Sequence, residues 1–346
     1  MLLPSIPTYD KQSAGKARIR QQQLTKPLGS LGMLETLSIQ IAGISGNEHP
    51  HFCHKEVIIM AADHGVAQQG VSAYPPDVTA QMVLNFLAGG AAVTVLARQA
   101  NAAVSIVDIG VNHDFKNVPG LLHRKIAPGT RNILHESAMT RTQAEEAIQV
   151  GMDIVNQRVK QGMDLVAIGE MGIGNTTPSS AITAVYTNLP IEKVTGRGTG
   201  LDDSELSLKI KLINEVLAFH HPDPRDPLEV LSKIGGLEIA GLAGVIIGAA
   251  SHRIPVVLDG FIAGAAALIA TAMLPTVKPF MIASHQSQET GHAAILQKLG
   301  LKPLLNLEMR LGEGSGAVLA LNLIEAATRI LNEMATFKEA GISEKI

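Results

Sequence analysis

A chain of 346 residues, 46% apolar and 17% charged with a net charge of −3, can bury a large core. It exceeds the size at which one core usually stops growing, which predicts one large domain plus a smaller one. Three Tyr, seven Phe and no Trp leave few rings for stacking on single strands, no basic run offers a nucleic-acid footprint, and the lone Cys53 excludes an intrachain disulfide or a thiolate metal cluster.

The first nine residues hold two prolines and no charged segment ahead of an apolar one, so no signal peptide is predicted. The first fifty residues lack a clear strand and include the polar run Gln21-Gln22-Gln23. Short aliphatic runs then recur at 57–60, 104–108, 165–168, 255–258 and 279–283, most of them followed by a Gly- or His-containing loop and a helical stretch. A sixth strand is expected around 304–307. Alternation of this kind predicts an α/β fold, a Rossmann-like parallel sheet flanked by helices, with ligand chemistry at the strands' carboxyl ends. Two stretches, 236–250 and 255–275, are apolar enough to raise a membrane question. Glu238 interrupts the first and Asp259-Gly260 the second, so they read as a buried helix and a strand–turn–helix, and a soluble cytosolic protein with no membrane partner is expected. Residues 220–228, with three prolines, read as a surface connection. A long helix is expected over 315–337. The two chain ends, 1–50 and 315–346, are predicted to form a small helical domain beside a catalytic domain over 51–314.

Three loops can carry chemistry. Leu311-Gly312-Glu313-Gly314-Ser315-Gly316 sets one carboxylate between glycines, where a ligand can approach closely, and Ser315 can cap the following helix. The spacing suits a single poised acid or base; a tight turn with a solvated Glu is the plainer alternative. Gly169-Glu170-Met171-Gly172-Ile173-Gly174-Asn175-Thr176-Thr177-Pro178 runs from a strand into a helix start near Pro178, which together form a phosphate site. It fits neither Walker A nor the dinucleotide fingerprint, so a monophosphate suits it better, with a structural turn as the alternative. Gly196-Arg197-Gly198-Thr199-Gly200-Leu201-Asp202-Asp203 is a second flexible loop. Asp202 or Asp203 can cap its helix, and Lys209, two turns in, offers a point charge to a phosphate unless it is an idle exposed lysine.

Asp63-His64-Gly65 and Ser284-His285-Gln286-Ser287-Gln288-Glu289 close strands without convincing metal-ligand spacing, and no metal is expected. Met82, Leu84 and Leu87 after Pro76 read most simply as core.

These residues have a family resemblance. Leu24-Thr25-Lys26-Pro27-Leu28-Gly29-Ser30-Leu31-Gly32, Ala62-Asp63-His64-Gly65-Val66, residues 169–177, Leu258-Asp259-Gly260-Phe261 and residues 311–316 resemble, in order and along essentially the whole chain, the nicotinate-nucleotide–dimethylbenzimidazole phosphoribosyltransferases. The resemblance implies transfer of phosphoribose from nicotinate mononucleotide to 5,6-dimethylbenzimidazole, giving α-ribazole 5′-phosphate and nicotinate for the lower loop of cobalamin. It implies a homodimer and no cofactor. It makes Glu313 the general base, sets Glu170 and Lys209 at the nucleotide, and has Gly172, Gly174, Asn175, Thr176 and Gly198 cradle the phosphate. Met171 and Leu311 would flank the flat base, with Met82 and Tyr74 at its pocket. Tyr74-Pro75-Pro76 departs from members that carry Ser before the Pro, which bears on base selectivity. The rivals are a dinucleotide-dependent oxidoreductase, disfavoured by the missing fingerprint, and a nucleotide sensor that binds without turnover.

Overall fold

The computed structural model describes residues 2–343; Met1 and 344–346, counted above with the terminal domain, lie outside the described residues. The chain begins with α1 (Lys11–Gln23) and α2 (Met33–Ser45), followed by β1 (Lys55–Ala62), α3 (Val78–Leu87), α4 (Ala92–Gln99), β2 (Ala103–Gly110) and β3 (Leu121–His123). Next come α5 (Arg141–Lys160), β4 (Leu165–Met171), α6 (Thr176–Thr187), α7 (Asp203–His220), α8 (Pro227–Ile234) and α9 (Leu237–Ser251). The last elements are β5 (Val256–Leu258), α10 (Phe261–Met273), β6 (Met281–Ala283), α11 (His292–Leu299), α12 (Ser315–Glu333) and α13 (Phe337–Ala340).

The six strands form one parallel sheet in the order β3-β2-β1-β4-β5-β6. The order reverses between β1 and β4, where crossovers leave opposite faces and a crevice opens at the carboxyl ends. Both faces are covered, which is why β1 is buried at every position instead of alternating. Ile58, Met60, Val166 and Ile168 pack under α5 and α9; Val57, Ile59, Leu165 and Ala167 pack under α12 and α2. α5 and α9 approach closely because Gly151 and Gly244 each face the other helix's backbone, where a Cβ would collide. At the chain ends, α1 and α2 pack on α12, which also lies across β4 and β5.

The stretches over 236–250 and 255–275 are a buried helix and a strand–turn–helix, as their polar interruptions predict. A third apolar stretch, Val78–Gln99, has a mean hydropathy of 1.6 over the length of a membrane span. It is broken at Gly89-Gly90 into α3 and α4, which pack beside the sheet. Three expectations fail. The sixth strand is β3, three residues long at the edge, and 304–307 makes only a single bridge, Leu305 to His285. The last long helix stops at Glu333, because Thr336 and Glu339 form a capping box that starts a separate turn. Ser315 caps nothing: its hydroxyl donates back to the Gly312 carbonyl at 2.8 Å, and Gly314 stands at the N-cap.

Candidate active site

A cleft of roughly 610 Å³ opens at the carboxyl ends of β4, β5 and β6, beside the reversal point of the sheet. Its size suits a nucleotide or a drug-sized ligand. Glu313, Glu170, Gly172, Asn175, Thr176, Gly198, Met82, Met171, Tyr74 and Leu311 all line it. Tyr74 and Leu311 are more than half exposed, so they form the rim instead of flanking a closed slot. Gly174 lies under its loop against Ala67, and Lys209 lies behind the wall. Leu84, expected in the core, is exposed on the outer side of α3; Leu87 is half-buried.

Glu313 sits at the centre of a strained turn. Gly312, Glu313 and Gly314 have φ of 87°, 65° and 96°, three successive residues in the left-handed region. Such a residue other than glycine costs of order 1 kcal/mol and persists only where its surroundings over-determine it. β4 supplies one constraint: Gly169 lies so close under Glu313 that a Cβ there would run into the Glu313 carbonyl. The carboxylate is buried and its Oε2 has no hydrogen-bond partner. Burial pushes its pKa up to about 7, the Asp259 charge adds to the rise, and the Val93 N–H opposes it. A carboxyl with that value and a free acceptor oxygen can take a proton near neutral pH.

Glu170 lies on the other side of the same strand, in line with Val166 and Ile168. Its Oε2 accepts from the Asn175 amide, and the Glu313 N–H also donates to its carboxylate. Burial drives its pKa up to about 8, and the Glu238 and Asp259 charges raise it further. At neutral pH it is therefore mostly the neutral acid.

The opposite end of the cleft is cationic. Asp202 caps α7 in a capping box with Glu205, as its type and position predict. The helix then turns Lys209 inward. Lys209 is fully buried, and its Nζ donates to Thr176 Oγ1 at 2.7 Å and to the Gly196 carbonyl at 3.4 Å. Burial lowers its pKa to about 8, and the Glu289 charge opposes the fall. Arg310 donates to the Gly198 carbonyl at 3.0 Å. α6 begins two residues before Pro178 and has no side-chain cap; Asn175, at its N-cap, donates its amide to Glu170. Its first turn suits an anion.

Sequence reasoning assigned no role to Asp259, His285, Ser287, Glu289 or Arg310, all of which line the cleft. The available signal was position, since Asp259 and the 284–289 loop directly follow β5 and β6. A smaller cavity of roughly 410 Å³ lies beyond α3, lined by Asp63, His64 and Asn112 among others. There His64 Nε2 lies 2.8 Å from Glu238 Oε1, a pair fully buried beneath the Gly172 turn. Among the described residues no three His, Cys, Asp or Glu converge as a metal would require.

The raised carboxyls make stability depend on pH. From pH 6.5 to 8 the folded chain gives up its protons on Glu313, near 7, and then on Glu170, near 8, whereas their ordinary value of 4.5 leaves the unfolded chain without them throughout. The native state binds more protons, so stability falls as pH rises through that window. His292, held neutral down to about 3 by burial, and His285 and His220, also lowered by burial, act in the opposite sense mainly below their ordinary 6.5, and Lys209 mainly from about 8 upward. The melting temperature is expected to drop from pH 6.5 to 8 and to drop less in Glu170→Gln. A flat wild-type curve would contradict the assignment.

A family model described as phosphoribosyltransferase matches residues 6–342. A protein of Chloroflexus aggregans, named nicotinate-nucleotide–dimethylbenzimidazole phosphoribosyltransferase, is 59% identical over 340 residues, which are 98% of this chain and 96% of the relative. Another of the same name, from Geobacter sulfurreducens, is 51% identical over 342 residues, 99% of this chain and 97% of its own. The crystal structure of CobT from Thermus thermophilus matches with a TM-score of 0.93 at 46% identity, covering 96% of this chain and 100% of that one.

Proposed function

The chain belongs to the nicotinate-nucleotide–dimethylbenzimidazole phosphoribosyltransferase family, and from that premise we propose that it moves phosphoribose from nicotinate mononucleotide to 5,6-dimethylbenzimidazole. One observation carries the mechanism: the unpartnered Glu313 oxygen, on a turn fixed at the mouth of an apolar cleft. The benzimidazole lies among Met171, Met82, Tyr74 and Leu311, where methionine adapts to a flat ring. Its N–H proton passes to Glu313 while the other ring nitrogen attacks ribose C1′. The new C1′–N bond forms as the bond to nicotinate breaks, and that electron pair goes to the pyridine nitrogen. The leaving ring carries a positive nitrogen beforehand and departs without needing a proton. Attack opposite the leaving group turns a β-nucleotide into an α-product. The reaction calls for neither metal nor redox cofactor.

The phosphate end is Thr176, Lys209, Gly198 and the start of α6, with Gly172, Gly174 and Asn175 shaping the loop. Glu170, mostly neutral, adds no repulsion to the anionic nucleotide. In this reading the chain acts in the cytoplasm as a homodimer. The exposed apolar side chains Leu84 on α3 and Val95 on α4 suit such an interface. The described parts of the two ends, 2–50 and 315–343, form the smaller domain, supported by the packing of α1 and α2 on α12.

The test is incubation of the purified protein with nicotinate mononucleotide and 5,6-dimethylbenzimidazole, read by chromatography and mass. Nicotinate and ribazole phosphate are expected in equal amounts. Bound nucleotide that is never consumed would favour the sensor.

A further inference from the structure

The four N–H groups at the start of a helix have no acceptor within it. α12 starts without a side-chain cap of its own, since Gly314 has none to offer and Ser315 bonds back to Gly312. One carboxylate from elsewhere in the chain takes three of the N–H groups around this start. Asp259, just past β5, accepts from Gly316 at 2.8 Å and Ala317 at 3.0 Å through Oδ1, and from Gly314 at 3.3 Å through Oδ2. Its own carbonyl accepts the Ser284 hydroxyl at 3.1 Å, from the end of β6. The residue is buried and held from both sides.

We infer that Asp259 is the positioning residue of the transfer: it holds the Glu313 turn in its left-handed shape and, as a buried anion beside that turn, sets the strength of the base. The inference rests on reading Glu313 as the base. The turn rests on the bare Gly169 surface beneath it, on the Glu170 carboxylate that accepts the Glu313 N–H, on the Ser315–Gly312 bond and on the Asp259 carboxylate across it. Of these, Asp259 is the one that also binds Gly316 and Ala317, so its loss frees the start of α12 and lets the strained Glu313 backbone relax. The groups facing this corner besides Asp259 are Glu170 from β4, the Val93 N–H from α4 and the His285 ring against Gly316. Glu238, on α9, acts on Glu170. His285 is kept neutral by burial, so Asp259 is the ionised neighbour of Glu313. Burial raises Asp259 only to about 6, against the bonds from Ala317, Gly316 and Gly314, so it is charged when Glu313 titrates near 7.

The Asp259→Asn variant keeps the shape, loses the charge and turns an N–H₂ toward groups that are themselves donors. The expected result is a kcat lower by about tenfold or more, a nucleotide KM within about threefold of wild type, and an acidic limb of the kcat–pH profile moved to lower pH. A role in folding alone would leave that limb in place, and an unmoved limb overturns the inference. Where the variant does not fold, amide exchange on the wild-type protein decides. Protection of Gly314, Gly316 and Ala317, corrected for intrinsic rate, should fall severalfold from pH 7 to pH 5 while Leu268 in α10 holds. Unchanged protection overturns the inference. Loss of the Glu313 reading by itself would leave the exchange result intact, so the two failures are distinguishable.

Discussion

Glu313→Gln is expected to lower kcat by two orders of magnitude or more while nicotinate mononucleotide still binds. General-base catalysis contributes typically ~10²–10⁴-fold, and the isosteric amide cannot take the benzimidazole proton. Asp259, also in the cleft, has its oxygens taken up by three backbone N–H groups. Glu170 is nearby, but burial and its acidic neighbours keep it largely protonated. The same substitution removes a buried carboxylate whose charged form is disfavoured, so the variant should melt no lower than wild type at pH 8. Lost turnover with retained fold and nucleotide affinity separates loss of chemistry from loss of structure. Near-normal turnover would remove Glu313 as the base.

Lys209→Ala is expected to raise the nucleotide KM by roughly 10- to 100-fold, with a smaller effect on kcat. Charge-assisted hydrogen bonds to phosphate are among the stronger polar contacts, and this ammonium is desolvated and fixed on Thr176 before the ligand arrives. Truncating a fully buried chain also leaves a hole, so Lys209→Met, which keeps most of the volume, is the control. Both variants should raise KM, and only the alanine should greatly lower the melting temperature. In the wild type, KM should also climb above about pH 8 as Lys209 loses its proton. An unchanged KM in both variants would place Lys209 outside the phosphate site.

Much of this was legible in the sequence wherever the local pattern admits few alternatives. Glu313 between glycines, after apolar residues and before an apolar helix, has little to do but present a carboxylate. The loop over 169–178 reads as an anion site because its glycines sit between a strand and a helix start. Lys209 was legible only as a candidate: Lys211 sits two residues on, and which lysine turns inward depends on how α7 meets α6. Asp259 was less legible still. Its partners lie 55 to 58 residues away, and nothing around Leu258-Asp259-Gly260 marks it as a cap for another helix. Ser315 misled for the same reason, since the local rule for a cap was satisfied while a distant carboxylate took the donors. β3 escaped notice because three residues ending in the exposed His123 carry no hydrophobic pattern. Residues 304–307 carry one, but only Leu304 and Leu305 pair, at and just past the end of β6.

The carboxyls lining the cleft, Glu170, Asp259, Glu289 and Glu313, leave open, on chemistry alone, a double displacement in which one of them first bonds to C1′. That route would retain the anomeric configuration, whereas direct attack by a base that Glu313 deprotonates inverts it. The most direct measurement is the anomeric configuration of the ribazole phosphate formed from β-nicotinate mononucleotide, read by NMR. The α-anomer is the predicted product; the β-anomer would contradict direct displacement and, with it, the role given to Glu313.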